Sequence, residues 1–516
     1  MKLCKWIKGT LAKEIEPEYD TPKVTIEDFI NPFSEEALAL GKQFDDAIIA
    51  KDSEALEQLI ANAKANADKF DSPSQAQIFY CIGNALAENK DAEREQLLEE
   101  QIYYFRKSIT LIESDDTLGD ESNPYVIGFL CCLYTNYANA LNQAGRKIAA
   151  IEQHKKTLSI APDFGMALGN LGTAYQHYGK LVPNPNHQHC LQHYAYSLLK
   201  QTIDSLDPNI YEDAKNHFKR CLAEYSDEYV EKFLTAPYSF AQYDYETQAE
   251  LEYRTWVLQN GLFLNPLNDL PYVEFAFAVD SLQLPGITIR EGYDPLKPVF
   301  HGIFNQLKQE YIYSRYQYYC GIQMCDEVHF ADKETCLTNT LDYEQHSIRL
   351  EQLKSAFKTA YSILDKIAFF INAYFELEIR EDRISFRTLW KSQVLSSKGN
   401  YALDSLRWIY KDFHESIAHS PSPKARRIYE LRNALEHRHI KVFWELIAED
   451  IPEGLSKHTS ETELEKETLQ LLKTIREALI CLAISVSIEE HNRREGKVEK
   501  MTLPITLDEY DDNWKR

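Results

Sequence analysis

Glycine and proline are scarce in this 516-residue chain, at 18 and 19, which leaves little of the punctuation that breaks a chain into short strands and turns. No apolar run reaches the roughly 18 residues needed to cross a bilayer, so no membrane helix and no membrane partner are expected. The opening stretch, MKLCKWIKGTLAKEIEPEYD, starts basic and turns acidic. It lacks the unbroken apolar segment and small-residue cleavage site of a signal peptide, and a cytoplasmic location is expected. The ten cysteines show no regular framework, which reads as reduced thiols packed like small apolar residues. Positive charge is also in deficit: 56 Lys and Arg stand against 80 Asp and Glu, for a net charge of −24. Broad attachment to a polyphosphate draws its affinity from many cations releasing counterions, so any nucleic-acid site in this chain must be local. Glycine-rich phosphate loops, G-x-S-x-G nucleophile turns and H-E-x-x-H metalloprotease helices are missing as well.

What is present is helical periodicity. Apolar residues recur at three- and four-residue spacing in windows such as EALEQLIANAKANADKF and TLQLLKTIREALICLAISVSIEE, and an all-α fold follows. An internal repeat organises the first half. Tyr137-Ala138-Asn139-Ala140-Leu141 with Gly145 returns 34 residues later as Leu171-Gly172-Thr173-Ala174-Tyr175 with Gly179, the period of tetratricopeptide-like helical hairpins. Ala138 and Gly172 are expected to admit close helix contact, Gly145 and Gly179 to end the first helix of each hairpin, and Pro162 to end the second. An earlier copy, Ile82-Gly83-Asn84-Ala85-Leu86, lies 55 residues ahead of Tyr137. Hairpins are expected over residues 35–230, after an extension at 1–34. Stacked hairpins form a concave surface, and a protein or peptide partner is expected there. The region 231–340 is assigned as a helical connection, irregular between 260 and 300, and 341–500 as a helical bundle. Helices are expected near residues 300–320, 344–377, 401–414, 424–447 and 460–490, with a tail at 501–516.

Chemistry concentrates in one place. The segment from Lys424 to Lys441, KARRIYELRNALEHRHIK, holds six Lys or Arg against two Glu, a basic island in an acidic protein. As a helix it buries Ile428, Leu431 and Leu435, while His437 and Asn433 face away from that stripe and Arg432 flanks it, within reach of Glu436. His439 falls back towards the stripe and reads as structural if the helix continues. Two concentrations of metal-ligand types occur, Cys320, Cys325, His329 and Cys336, and His187, His189, Cys190 and His193. Neither spacing matches a common zinc site, so no metal and no cofactor are expected.

The R-N-x-x-x-H pattern of Arg432, Asn433 and His437 resembles the signature of the HEPN superfamily. With AYSILDKIAFFINAYFEL at 360–377 and EYRTWVLQNGLFLNPLND upstream, the chain looks like a HEPN family often fused to tetratricopeptide-like repeats. The resemblance implies a C-terminal HEPN bundle behind a hairpin solenoid, and a metal-independent endoribonuclease that dimerises so that two motifs face one cleft. It implies His437 as general acid or base, Arg432 as stabiliser of the charged phosphorane and Asn433 as the group that orients His437 or a phosphate. Arg438 and Lys441 are candidates for flanking phosphates, His439 for an auxiliary role and Asp365 for orienting Arg432 or His437. The biological setting it implies is a bacterial toxin or phage-defence effector acting on RNA. The alternative is a non-catalytic adaptor whose bundle serves dimerisation or nucleotide binding.

Overall fold

The computed structural model describes residues 29–88, 94–115, 122–205, 207, 210–235, 245–271, 275–288, 298–324, 328–336, 344–414, 423–443, 456–494 and 502–503. The helices of ten or more residues among them are numbered in chain order. The first part comprises α1 (Glu35–Ala50), α2 (Ser53–Asn66), α3 (Ser72–Glu88), α4 (Arg94–Ser114), α5 (Pro124–Gln143), α6 (Lys147–Ile160), α7 (Gly165–Gly179), α8 (Pro185–Asp204) and α9 (Glu212–Ala223). After α10 (Gln248–Gln259) come α11 (Val299–Gln323), α12 (Ile348–Tyr374), α13 (Tyr401–His414), α14 (Pro423–His437) and α15 (Glu461–Arg494). The all-α expectation holds. The strands described are β1 (Ile287–Thr288), β2 (His439–Phe443), β3 (Ser456–Ser460) and β4 (Thr502–Leu503), in two small ladders. Residues 287–288 and 502–503 pair antiparallel, which ties the start of the expected tail to the irregular segment.

Local chemistry sets the helix ends. Asn123 and Asn184 accept from backbone N–H groups of the first turns of α5 and α8, and each is followed by a proline whose missing N–H costs the helix nothing. Asp52 and Ser347 cap α2 and α12 in the same way. Gly145 follows α5 with φ +80°, and the Arg146 N–H reaches back to the Leu141 carbonyl at 2.9 Å, closing the helix as expected of that glycine. Gly179 differs. It is the last residue of α7, and its absent side chain makes room for Leu191 and Gln192 of α8, so close packing rather than a left-handed turn explains it.

The helices α3/α4, α5/α6 and α7/α8 form successive hairpins. A Cβ on Gly83 would meet the Phe105 ring at 2.6 Å, and one on Gly172 would meet Leu199 at 3.0 Å and the Ala195 carbonyl at 3.3 Å, so both positions demand the small residue. One hydrogen bond recurs between neighbouring hairpins. Asn136 donates to Asn84 at 2.9 Å, and Asn170, 34 residues on, donates at 3.1 Å to Asn139, which holds the same place in its motif as Asn84.

Hairpins and bundle share a core. One continuous apolar cluster runs from Ile148 and Leu171 through Phe263, Leu267 and Phe277 to Leu353, Ile363, Leu471 and Val486. The helix α15 is buried on nearly every face between Leu471 and Val486 and forms the axis of the bundle, against α11, α12 and α13. The described parts of the irregular stretch between α10 and α11, residues 260–271 and 275–288, form a largely buried plug. Arg476 of α15 donates to the Phe263 and Asn265 carbonyls and to Asp269, and Tyr178 of α7 donates to the same Asp269 carboxylate. Alongside, Asp412 of α13 takes Arg106 of α4 at 2.6 Å and Arg146 at 2.9 Å, while Arg146 also grips Glu477 of α15 at 2.6 Å. Lys411 meets Glu95 and Glu99 nearby. The side of the hairpins that bears Arg106 and Arg146 is therefore occupied by the chain's own bundle.

Candidate functional site

The motif helix α14 is shorter than its sequence suggests. It ends at His437, with the Arg438 N–H still bonded to the Ala434 carbonyl at 2.8 Å, and the chain then extends into β2. Strand β2 pairs in parallel with β3, from His439 opposite Ser456 to Phe443 opposite Ser460. The cause is the alternation in His439-Ile440-Lys441-Val442-Phe443, which places Ile440 and Val442 in the core and Lys441 on the other face. A helical projection beyond His437 thus fails. The expected helix over 424–447 is corrected, and so is the placing of His439 on its buried stripe; the His439 side chain lies outside the described residues.

On α14 the buried face is Ala425, Ile428, Leu431 and Ala434, with Leu435 half-buried. Arg432 and Asn433 are half-buried, and Glu436, His437 and Arg438 are exposed. Arg432 Nη1 donates to Asn433 Oδ1 at 3.1 Å rather than turning to Glu436, and its guanidinium lies 5.5 Å from the centre of the Tyr361 ring on α12. His437 stands on the far side: five residues apart at 100° each, Arg432 and His437 diverge by about 140°, with Asn433 about 40° from His437. Helix geometry brings Asn433 beside each of the other two, but turns Arg432 and His437 away from one another.

The remaining sequence candidates separate. Asp365, one turn beyond Tyr361 on α12, accepts the Phe386 N–H at 2.8 Å, at the start of the short helical turn Phe386–Leu389 that Ser385 caps. Lys441 lies opposite His458 in the β2–β3 ladder, whereas Arg438 is exposed at the end of α14. Of the metal-ligand concentrations, His189 stacks on Phe233 at 4.4 Å and bonds the Tyr229 hydroxyl, Cys190 is wholly buried, and Cys325 lies outside the described residues. Among the described residues, no group of three or more His, Cys, Asp or Glu is placed to hold a metal ion. Nor is any described helix long and apolar enough to cross a membrane.

Sequence reasoning missed His414. It ends α13, and its ring stands 5.0 Å from Tyr429, one turn ahead of Arg432 on α14. Burial, with Arg387 and Arg432 adding to it, pushes its pKa down to about 4, so it is neutral at neutral pH. Nothing local in the sequence joins residue 414 to residue 432, since only the packing of α13 on α14 does so.

Arg432 contrasts with the well-buried arginines. Arg146, Arg315 and Arg476 each meet a carboxylate, whereas Arg432 rests on a neutral amide and a ring face, with no carboxylate partner among the described residues. Residues 294–489, from just ahead of α11 into α15, match the LA2681-like HEPN family. The C-terminal helical bundle thus carries a HEPN-type domain. It takes in α11, which sequence reading left to the connection and which packs along α12. No curated protein and no solved structure matches the chain.

Proposed function

We propose that the bundle is a metal-independent endoribonuclease and that Arg432, Asn433 and His437 form its working motif. The observation that carries this reading is Arg432 itself, a half-buried guanidinium with no carboxylate partner among the described residues, set beside Asn433 in a basic island of an acidic chain. Such a cation is prepared for an oxyanion. In the proposed reaction the ribose 2′-oxygen attacks the adjacent phosphorus, the P–O5′ bond breaks, and the products carry 2′,3′-cyclic phosphate and 5′-hydroxyl ends. The His437 imidazole moves a proton at the 2′-oxygen or at the leaving 5′-oxygen, the general acid–base work in which histidine is most often used. Arg432 holds the charge that develops on phosphorus. DNA, lacking the 2′-hydroxyl, is not cut.

The divergence of Arg432 and His437 favours a site shared between two copies of the chain, each supplying one of the two groups to a common phosphate. A homodimer through the bundle follows. In this reading the hairpins hold the bundle through the Arg106, Arg146, Asp412 and Glu477 network, and the protein serves as a toxin or defence effector whose cutting is restrained through that contact. Total RNA incubated in EDTA with wild type, His437→Ala and Arg432→Ala tests the assignment. Cleavage by wild type alone, leaving cyclic phosphates, is the expected result. Equal cleavage by all three proteins would place the activity elsewhere.

A further inference from the structure

Two buried polar atoms in the helices packed around Arg432 have no hydrogen-bond partner among the described residues. Tyr361 is 5% exposed, and its hydroxyl is shut off from solvent without a hydrogen-bond partner. The His414 Nδ1 is in the same condition. Buried polar groups in native proteins are almost always paired, so two orphans beside one unneutralised cation call for an explanation. Their placement is fixed by packing. The Tyr361 ring carries Arg432 on its face at 5.5 Å and meets Phe413 edge-on at 5.8 Å, while His414, next in the chain, meets Tyr429 edge-on at 5.0 Å. Arg387 also bears on His414, which makes two cations around the pair. Burial pushes the Tyr361 hydroxyl up, with Asp365 adding to it and Arg432 opposing, so the group keeps its proton and can donate.

We propose that Tyr361 and His414 are the inner donors of a phosphate subsite whose outer edge is Arg432, so that an RNA phosphodiester oxygen accepts from the Tyr361 hydroxyl and the His414 Nδ1–H. The proposal rests on reading Arg432 as a phosphate ligand. The chemistry selects an oxyanion, because the two cations Arg387 and Arg432 outnumber the one carboxylate, Asp365, that bears on Tyr361, and both neutral groups can donate. Among the described residues Arg432 bonds only its neighbour Asn433 and rests on the Tyr361 ring, so its guanidinium can move onto a phosphate without breaking an ion pair.

The test titrates the full-length protein with uridine 3′-monophosphate, inorganic phosphate and uridine, by calorimetry and by following the His414 ring resonances. Both anions are expected to bind and uridine is not, and the His414 pKa is expected to rise from about 4 as the anion offsets Arg387 and Arg432. Tyr361→Phe removes only the hydroxyl. It is expected to weaken anion binding by roughly 10- to 150-fold, the range of one lost hydrogen bond to a charged group, with an unchanged or higher Tm because that hydroxyl had no partner among the described residues. His414→Leu is expected to lose binding similarly, and His414→Asn, which keeps a donor near Nδ1, to retain most of it. Wild-type affinity in both Tyr361→Phe and His414→Leu overturns the subsite, as does failure of wild type to bind either anion. The expected binding pattern in a protein that never cleaves RNA overturns the ribonuclease reading and leaves the subsite standing.

Discussion

Replacing Asp412 by Asn removes one negative charge from the contact that fastens the hairpins to the bundle. Its carboxylate receives two bonds from Arg106, at 2.6 and 3.0 Å, and one from Arg146 at 2.9 Å. In the variant Arg106 keeps its bond to the Tyr137 hydroxyl and Arg146 its bonds to Glu477, but both lose the Asp412 carboxylate. Removing the carboxylate from a buried ion pair costs about 3–5 kcal/mol. An unfolding entropy of about 2.1 cal/mol/K per residue makes 1 kcal/mol worth about 1 °C when the whole chain melts as one unit. Calorimetry is then expected to show Tm falling by about 3–5 °C, or two to three times that if the hairpins melt separately, so the size of the drop reports the cooperative unit. Burial raises the Asp412 pKa, but Arg106 and Arg146 together bring it below the ordinary value. Its contribution is therefore complete above the unfolded value near ~3.9 and is lost only as pH falls through the lowered folded value. The gap between wild type and variant should be the same at pH 7 and pH 5. Adding Arg106→Met should recover part of the loss, because the buried positive charge that Asp412 offset is gone. A Tm change below 1 °C, or no recovery in the double variant, would refute the account of this network.

Mixing equal amounts of the inactive Arg432→Ala and His437→Ala proteins should restore about a quarter of wild-type cleavage, since half of the dimers are mixed and each mixed dimer keeps one intact shared site; no recovery after subunit exchange would place both groups in one protomer. His154, 1% exposed with an unpartnered Nδ1, has its pKa driven down to about 3 by burial. The unfolded chain binds its proton first, so stability falls as pH drops from about 6.5 towards 3, by at most ~1.4 kcal/mol per unit. His154→Leu should flatten that acid limb in chemical denaturation, and parallel pH curves would refute the assignment. Gly172→Ala adds about 1 kcal/mol of helix propensity yet drives a methyl towards Leu199 and the Ala195 carbonyl, so thermal melting should show net destabilisation of about 1–2 kcal/mol. Gly302→Ala, in the first part of α11 with open space around its Cβ, should instead stabilise by about 0.5–1 kcal/mol, and the same sign at both sites would contradict the packing described.

Much of this architecture is local in origin and was therefore legible. Three- and four-residue spacing marks helices, and α13 runs over the residues 401–414 expected of it. The 34-residue return of Asn136 as Asn170 is a hydrogen bond repeated between hairpins, and Gly145 takes the left-handed backbone that closes α5. The motif could be read because a charge island and an Arg-Asn-His spacing are written within eighteen residues. The end of α14 was not readable in that way. Residues 438–443 are compatible with a further helical turn or with a strand, and the partner that decides, β3, arrives only at Ser456.

What the sequence alone determined is where most helices run, how several of them are capped, and the Arg-Asn-His spacing itself, because propensity, capping and periodicity act over a few residues. What the tertiary structure alone decided is the company those residues keep. Asp412 finds Arg106 and Arg146 across 306 and 266 residues, and Tyr361 and His414 come to Arg432 from α12 and α13. Asp365 turns to Phe386. Burial and unmatched charge belong to the folded packing, since a side chain loses water and gains neighbours only when distant helices close over it.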